Sequence, residues 1–152
     1  MKRILGKVSR EVINKYNLHE HENKKIVLYD NDRKHCENKH AHEFKDKKTF
    51  HYVMDNLEYI IEEPDQVFYV KGYDIIFDKK TKQKKKIERY SLEYYKKFDD
   101  DVTVRVKVDD GKELRVKTVF RVKEQKVRNK IEKDIYSKYV MTEEEYKEKT
   151  TV

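Results

Sequence analysis

The sequence is short of the residues that bend or cross-link a chain. It has one cysteine (Cys36), one proline (Pro64) and three glycines among 152 residues. A lone cysteine makes no internal disulfide and anchors no cysteine-based metal site. No segment rich in Pro, Gly or Ser marks a linker, and no internal repeat occurs, so the length fits one domain. Apolar residues nowhere approach the ~20 in a row that a membrane span needs. The opening MKRILGKVSR lacks the apolar run and small-residue cleavage site of a secretory signal. The expectation is a small, soluble, cytoplasmic protein with no membrane partner.

Alanine is scarce as well, Ala41 being the only one, while charged residues make up 44% of the chain, against roughly 25% in an ordinary domain. Disorder does not follow, because twelve Tyr and six Phe are too many aromatics for a solvated chain. Lys and Arg number 37 against 30 acids, a net charge of +7 with a pI near 9.2. A surplus of this sign fits a polyanionic partner, most commonly nucleic acid. An AT-rich genome would also enrich lysine, but it would scatter it everywhere. Clusters of arginine and histidine are therefore the informative feature.

Periodicity divides the chain at Pro64. Ser9 is placed to cap a short helix whose Val12, Ile13 and Tyr16 share a face. Lys25 to Tyr29 (KIVLY) reads as a strand, and NDRKHCENKHAHEF as a second helix opened by Asn31 or Asp32. Phe50, Val53, Met54, Leu57, Ile60 and Ile61 recur at three- and four-residue spacing. They predict one amphipathic helix from Thr49 to Glu63, with Thr49 as N-cap and Pro64 as the stop. Beyond Pro64 the period is two. Gln66 to Val70 and Tyr73 to Asp78 suggest a hairpin turning near Gly72. Lys79 to Lys86 (KKTKQKKK) reads as an exposed hairpin loop, and Tyr90 to Lys97 as a further strand, although its Tyr spacing also suits a short helix. Lys126 to Tyr139 suits a C-terminal helix with Val127, Ile131 and Ile135 on one side. The order predicts an α+β domain over residues 1–140, with N-terminal helices packed on a four- to five-stranded antiparallel sheet, a C-terminal helix, and a polar tail over residues 141–152.

The clearest element is a hairpin from Val102 to Val122. Val102, Val104, Val106 and Val108 form one face, and Leu114, Val116, Phe120 and Val122 share parity on the return. A three-residue loop, Asp109-Asp110-Gly111, aligns the two apolar faces if Gly111 takes a left-handed bulge position. Lys107 would then face Glu113, and Arg105 would face Arg115. Two arginines side by side suggest either a missing anion or a pair splayed into solvent. Thr118 interrupts the apolar parity, either as a simple replacement for Val or as a hydroxyl turned towards a phosphate oxygen.

His35, His40 and His42 fall within eight residues. As metal ligands, His35, Cys36 and His40 are poorly spaced, because neighbouring helical positions point about 100° apart and no H-E-x-x-H or C-x-x-C pattern is present. A structural role is open to any one of them. As acid–base groups they suit the charge pattern, since an imidazole titrates at about pH 6.5. Beside a cationic strand face, that is what metal-free RNA cleavage needs: one group removes the ribose 2′-OH proton, another protonates the leaving 5′-oxygen, and cations stabilise the phosphorane. His19, His21 and His51 read as surface residues.

Several stretches resemble a known family. GKVSREVINKYNL, the strand IVLYD, HCENKHAHEF, EEPDQVFYV, VTVRVKV and ELRVKTVFRV are similar to the phage-borne, polyvalent-protein branch of the Barnase–EndoU–colicin–RelE-like nucleases, over about residues 4–135. The resemblance implies helices packed on a four-stranded antiparallel sheet, with the site in a cleft on that sheet. It also implies a metal-independent endoribonuclease of phages or mobile elements, toxin-like, with no cofactor, acting on tRNA or other RNA in the bacterial cytoplasm. Carried over by position, the family's histidine segment falls on His35, His40 and His42, and its late-strand polar residues on Arg105, Arg115, Lys117 and Thr118. The resulting expectation assigns catalysis to His35, His40, His42, Arg105, Arg115 and Thr118, and RNA contacts to Lys39, Lys107, Lys117 and Arg121. Besides RNA, a host protein or a cognate immunity protein is an expected partner. The alternative is a catalytically inactive module of this fold that binds RNA or a host protein, for example to counter host defence.

Overall fold

The computed structural model describes residues 2–44, 46–99 and 102–123. The expected helix over Lys126 to Tyr139 and the polar tail lie outside these residues. Strand β1 (Lys2–Lys7) opens the chain, followed by α1 (Arg10–Tyr16), a 3-10 turn (His19–His21), β2 (Lys25–Tyr29) and α2 (Asp30–His40). A second 3-10 turn (Ala41–Glu43) leads to α3 (Lys47–Asp55) and α4 (Leu57–Glu62). Four strands complete the order: β3 (Gln66–Asp78), β4 (Gln83–Asp99), β5 (Val102–Asp110) and β6 (Leu114–Val122).

The expected α+β class holds, but the sheet differs from the expectation. Among the described residues it has six strands in the order β1-β2-β6-β5-β4-β3, and it is mixed, because β2 and β6 run parallel. Besides the expected strand at Lys25–Tyr29, the N-terminal part holds a second one, β1. KRILGK forms an edge strand whose one fully buried apolar side chain, Leu5, gives little periodic signal. A bulge between Ile4 and Gly6 in β1 leaves Gly6 at φ +143°, a conformation that suits a residue without Cβ.

Local signals explain most of the helices. Ser9 caps α1 by accepting the Val12 N–H at 3.3 Å, and Asn17 closes it in the left-handed conformation at φ 55°. α2 begins one residue before the expected Asn31, with Tyr29 at the N-cap and Asp30 and Asp32 in the first turn, where carboxylates favour the helix dipole. The long amphipathic helix is two helices. Its N-cap is Asp46 rather than Thr49, whose N–H and hydroxyl both donate to Asp46 Oδ1, at 2.7 and 2.8 Å. At Asn56 the chain kinks between α3 and α4, and the apolar stripe survives the kink: Phe50, Val53, Met54, Leu57, Ile60 and Ile61 are all buried. Carbonyls freed near the break are taken up from β1, where Arg3 donates to Met54 O at 3.0 Å and forks onto Glu58 at 2.6 and 2.7 Å.

β3 does not turn at Gly72. It runs unbroken to Asp78 and pairs with β4 from Gln66–Tyr95 to Asp78–Gln83, so the turn is Lys79 to Lys82. Lys82 takes the left-handed position at φ 55°, a role more often given to Gly or Asn. Half of the lysine run is thus turn and half is strand. β5 reaches β4 only from Tyr90 onward, so among the described residues the two strands beyond Gly72 and Arg89 pair only with each other, as a two-stranded ribbon.

The β5–β6 hairpin has a three-residue loop, but it is Gly111 to Glu113, two residues later than expected, and Gly111 is not at positive φ. Arg115 pairs with Asp109 and Arg105 with Phe120, so the two arginines are not side by side. Past Val116 the register slips by one residue, Thr118 standing opposite Lys107. Val119 then takes the core position expected for Phe120, and Phe120 and Val122 turn to the other face. The helices and the valine face of β5 enclose one core, and His21, expected on the surface, is buried beside it.

The Arg3 fork is a checkable element. Arg3 holds the Glu58 carboxyl below its ordinary value of 4.5, so this contribution is complete above the ordinary glutamate range and is lost as pH falls through the depressed value. Arg3→Ala is expected to cost about 1 kcal/mol in urea unfolding at pH 7, because the pair is partly solvated, and less near pH 3. An equal cost at both pH values would contradict the assignment.

Candidate active site

The face of the sheet opposite the main core arranges its side chains in rows set by the ladder. One row is Val70, Ser91, Asp109 and Arg115, the next is Phe68, Glu93, Lys107 and Thr118, and the third is Gln66, Tyr95, Arg105 and Phe120. One wall comes from α2. β2 pairs with β6 only at Ile26–Leu114 and Val27–Arg115, after which the chain leaves the sheet as a helix and follows β6. Asp32 meets Arg115, Cys36 meets the Lys117 carbonyl, His40 meets Phe120, and Glu43 accepts from Arg121.

Between this wall and the β3–β4 ribbon lies a cleft of about 580 Å³. Asp32 and His35 line it from α2, Lys117 and Thr118 from β6, and Lys107 and Asp109 from β5. Arg89, Tyr90, Ser91 and Glu93 line it from β4, with Val70, Gly72 and Tyr73 from β3. Two carboxylates of the lining are buried, Asp32 and Glu93, the latter only 6% exposed. Glu93 Oε2 lies 3.6 Å from Arg105 Nη1, and Tyr95 donates to Glu93 Oε1 at 3.4 Å. Burial first, and the Glu93 charge second, push the Tyr95 hydroxyl far up, so it remains a donor.

Of the residues expected from sequence, the cleft gathers His35, Lys107, Lys117 and Thr118. Arg115 stands behind it, donating from Nε to Asp32 at 2.5 Å with its guanidinium 4.6 Å from the Tyr29 ring. Hydrogen bonding to Asp32 pushes its pKa further up. Arg105 lies 3.9 Å over the Phe120 ring. His40 sits at the rim: Nδ1 is 2.9 Å from Glu43, and its ring is 5.3 Å from Phe120 and 6.4 Å from His35. His42 and Lys39 are exposed and do not line the cleft, and Arg121 is exposed, donating to the Glu43 carbonyl at 3.3 Å. The histidine cluster is thus divided, because the chain tightens into a 3-10 turn after His40.

The sequence reading passed over Asp32, Glu93 and Asp109. A signal for Glu93 exists in SLEYY: Ser91, Glu93 and Tyr95 alternate with the core residues Leu92 and Tyr94, which places a carboxylate on the same face as Arg105 and Lys107. Cys36 is fully buried while His35 is exposed, so the two do not converge on one ion. Burial, the main cause, pushes the Cys36 thiol up to about 11. Among the described residues, the group close enough to share a metal ion is Glu20, His21 and Asp110, none of which lines the cleft.

A family model described as phage-Barnase-EndoU-ColicinE5/D-RelE like nuclease3 matches residues 2–129, a span that includes every helix and strand given above. No curated protein and no solved structure matches the chain.

Two measurements test this geometry. Iodoacetamide at pH 7.5 is expected to modify Cys36 about 100-fold more slowly in the folded protein than in denaturant; equal rates by mass spectrometry would refute the burial. Asp32→Ala removes the buried carboxylate to which Arg115 donates and is expected to cost about 1–3 kcal/mol in chemical unfolding. No change would remove Asp32 as the anchor of α2.

Proposed function

The chain belongs to the phage-Barnase-EndoU-colicin E5/D-RelE-like nuclease family, and on that premise we propose that it is a ribonuclease cutting RNA by metal-independent transphosphorylation in this cleft. The observation that carries the reading is the co-location of a buried carboxylate, Glu93, and an imidazole, His35, in one cleft that also holds Lys107, Lys117 and Thr118. In this reading Glu93 takes the proton from the ribose 2′-OH, whose oxygen attacks the adjacent phosphorus. The P–O5′ bond breaks, and His35 delivers a proton to the leaving 5′-oxygen. The products are a 2′,3′-cyclic phosphate and a 5′-OH end. Lys107 and Lys117 offset the charge of the phosphorane, and the Thr118 hydroxyl donates to one of its oxygens.

Arg105 and Arg115 become positioning residues, each steadying an acid that lines the cleft, Glu93 and Asp32 respectively. His40, held by Glu43 with its ring 6.4 Å from that of His35, is the second imidazole within reach of a substrate at the rim. His42, Lys39 and Arg121 serve in this scheme only as surrounding polar surface. tRNA is one substrate class that fits. The engagement of both arginines by carboxylates also suits the second reading, a module that holds RNA or a host protein without cutting.

An assay on bacterial tRNA and a generic single-stranded RNA, in EDTA, separates the two. Cleavage ending in 2′,3′-cyclic phosphate, with a bell-shaped pH profile, is expected from the parent protein. Glu93→Gln and His35→Ala are each expected to lower the rate about 10²–10⁴-fold while RNA binding persists. Binding without cleavage at high protein concentration would leave the binding module as the correct reading.

A further inference from the structure

The free ribbon of β3 and β4 has a composition that its fold does not require. Among the described residues it has no further strand neighbour beyond Gly72 and Arg89, and an isolated two-stranded ribbon is at best marginal in water. Yet it displays Tyr73, Ile75 and Phe77 at 50, 72 and 57% exposure. The three alternate along one face, with Lys84 directly opposite Phe77 and Lys86 opposite Ile75. Lys86 Nζ lies 4.1 Å from the centre of the Tyr73 ring. Residues 72–89 carry six lysines and an arginine against three acids, a balance that favours a polyanion over an apolar protein groove.

We propose that this ribbon is a grip for single-stranded RNA leaving the cleft, its aromatic rings stacking on bases and its lysines meeting phosphates. Continuity with the cleft supports this occupant: Gly72, Tyr73 and Arg89 are at once the base of the ribbon and a wall of the cleft. Exposed aromatic rings beside amines are the combination that holds single strands without reading sequence. The inference rests on the cleft acting on RNA and extends it, making single-stranded length the determinant of affinity.

The test uses the full chain, a 2′-O-methyl RNA of about 12 nucleotides, within the ~4–16-nucleotide range of such platforms, and a cleavable dinucleotide. Phe77→Ala is expected to weaken binding of the long RNA about tenfold. Lys84→Gln/Lys86→Gln is expected to weaken it and to flatten the salt dependence by a slope of roughly 1–2. Both variants are expected to cleave the dinucleotide like the parent and to retain its melting profile. Parental affinity for the long RNA in both variants would overturn the grip, and continued dinucleotide cleavage would then leave the ribonuclease reading standing. Ribbon-dependent binding with no dinucleotide cleavage would keep the grip and remove the ribonuclease. A parent that binds anionic vesicles but not the long RNA would also overturn the grip.

Discussion

β6 carries one residue more than β5 opposes, and the placement of the site follows from it. Leu114 and Val116 point into the core, the ladder slips at Lys117, and Val119 resumes the core face. Without the slip, Phe120 would enter the core and Val119 would face the cleft. With it, Lys117 and Thr118 both line the cleft, and Phe120 forms a platform between Arg105 and His40. Bulges re-aim side chains in this way next to functional sites.

A second constraint is topological. The parallel contact between β2 and β6 lasts two residue pairs, and α2 then occupies the place along β6 that a strand would otherwise take. The Asp32–Arg115 pair fixes the start of that helix and the packing of Cys36 fixes its middle. His35 is thereby held on the cleft side, facing strands that come from the other half of the chain. His35 and Glu93 line one cleft because helix and sheet are joined along their length, not because the two are close in sequence.

What the sequence revealed and what it concealed divide along the same line. Alternation exposed the valine face of β5, Ser9 announced α1, and KIVLY marked β2 to the residue, because these signals are local. The bulge was hidden, since a regular register for LRVKTVFRV also gives an apolar face. Gly72 read as a turn although the chain crosses it extended, while the true turn uses Lys82 in a conformation typical of glycine. Asp46 and Thr49 are both good caps, and only the hydrogen bonds decide between them. The division of the histidines depends on where α2 ends, which side-chain periodicity alone does not mark.

The central claim is that the cleft between α2 and the β3–β4 ribbon is where RNA binds. Its most direct test is an amide chemical-shift map of the labelled protein titrated with an uncleavable 2′-O-methyl dinucleotide. Shifts concentrated at His35, Glu93, Lys107 and Thr118 are expected. Shifts confined to α1, α3 and α4 on the opposite face, or none at saturating dinucleotide, would contradict it.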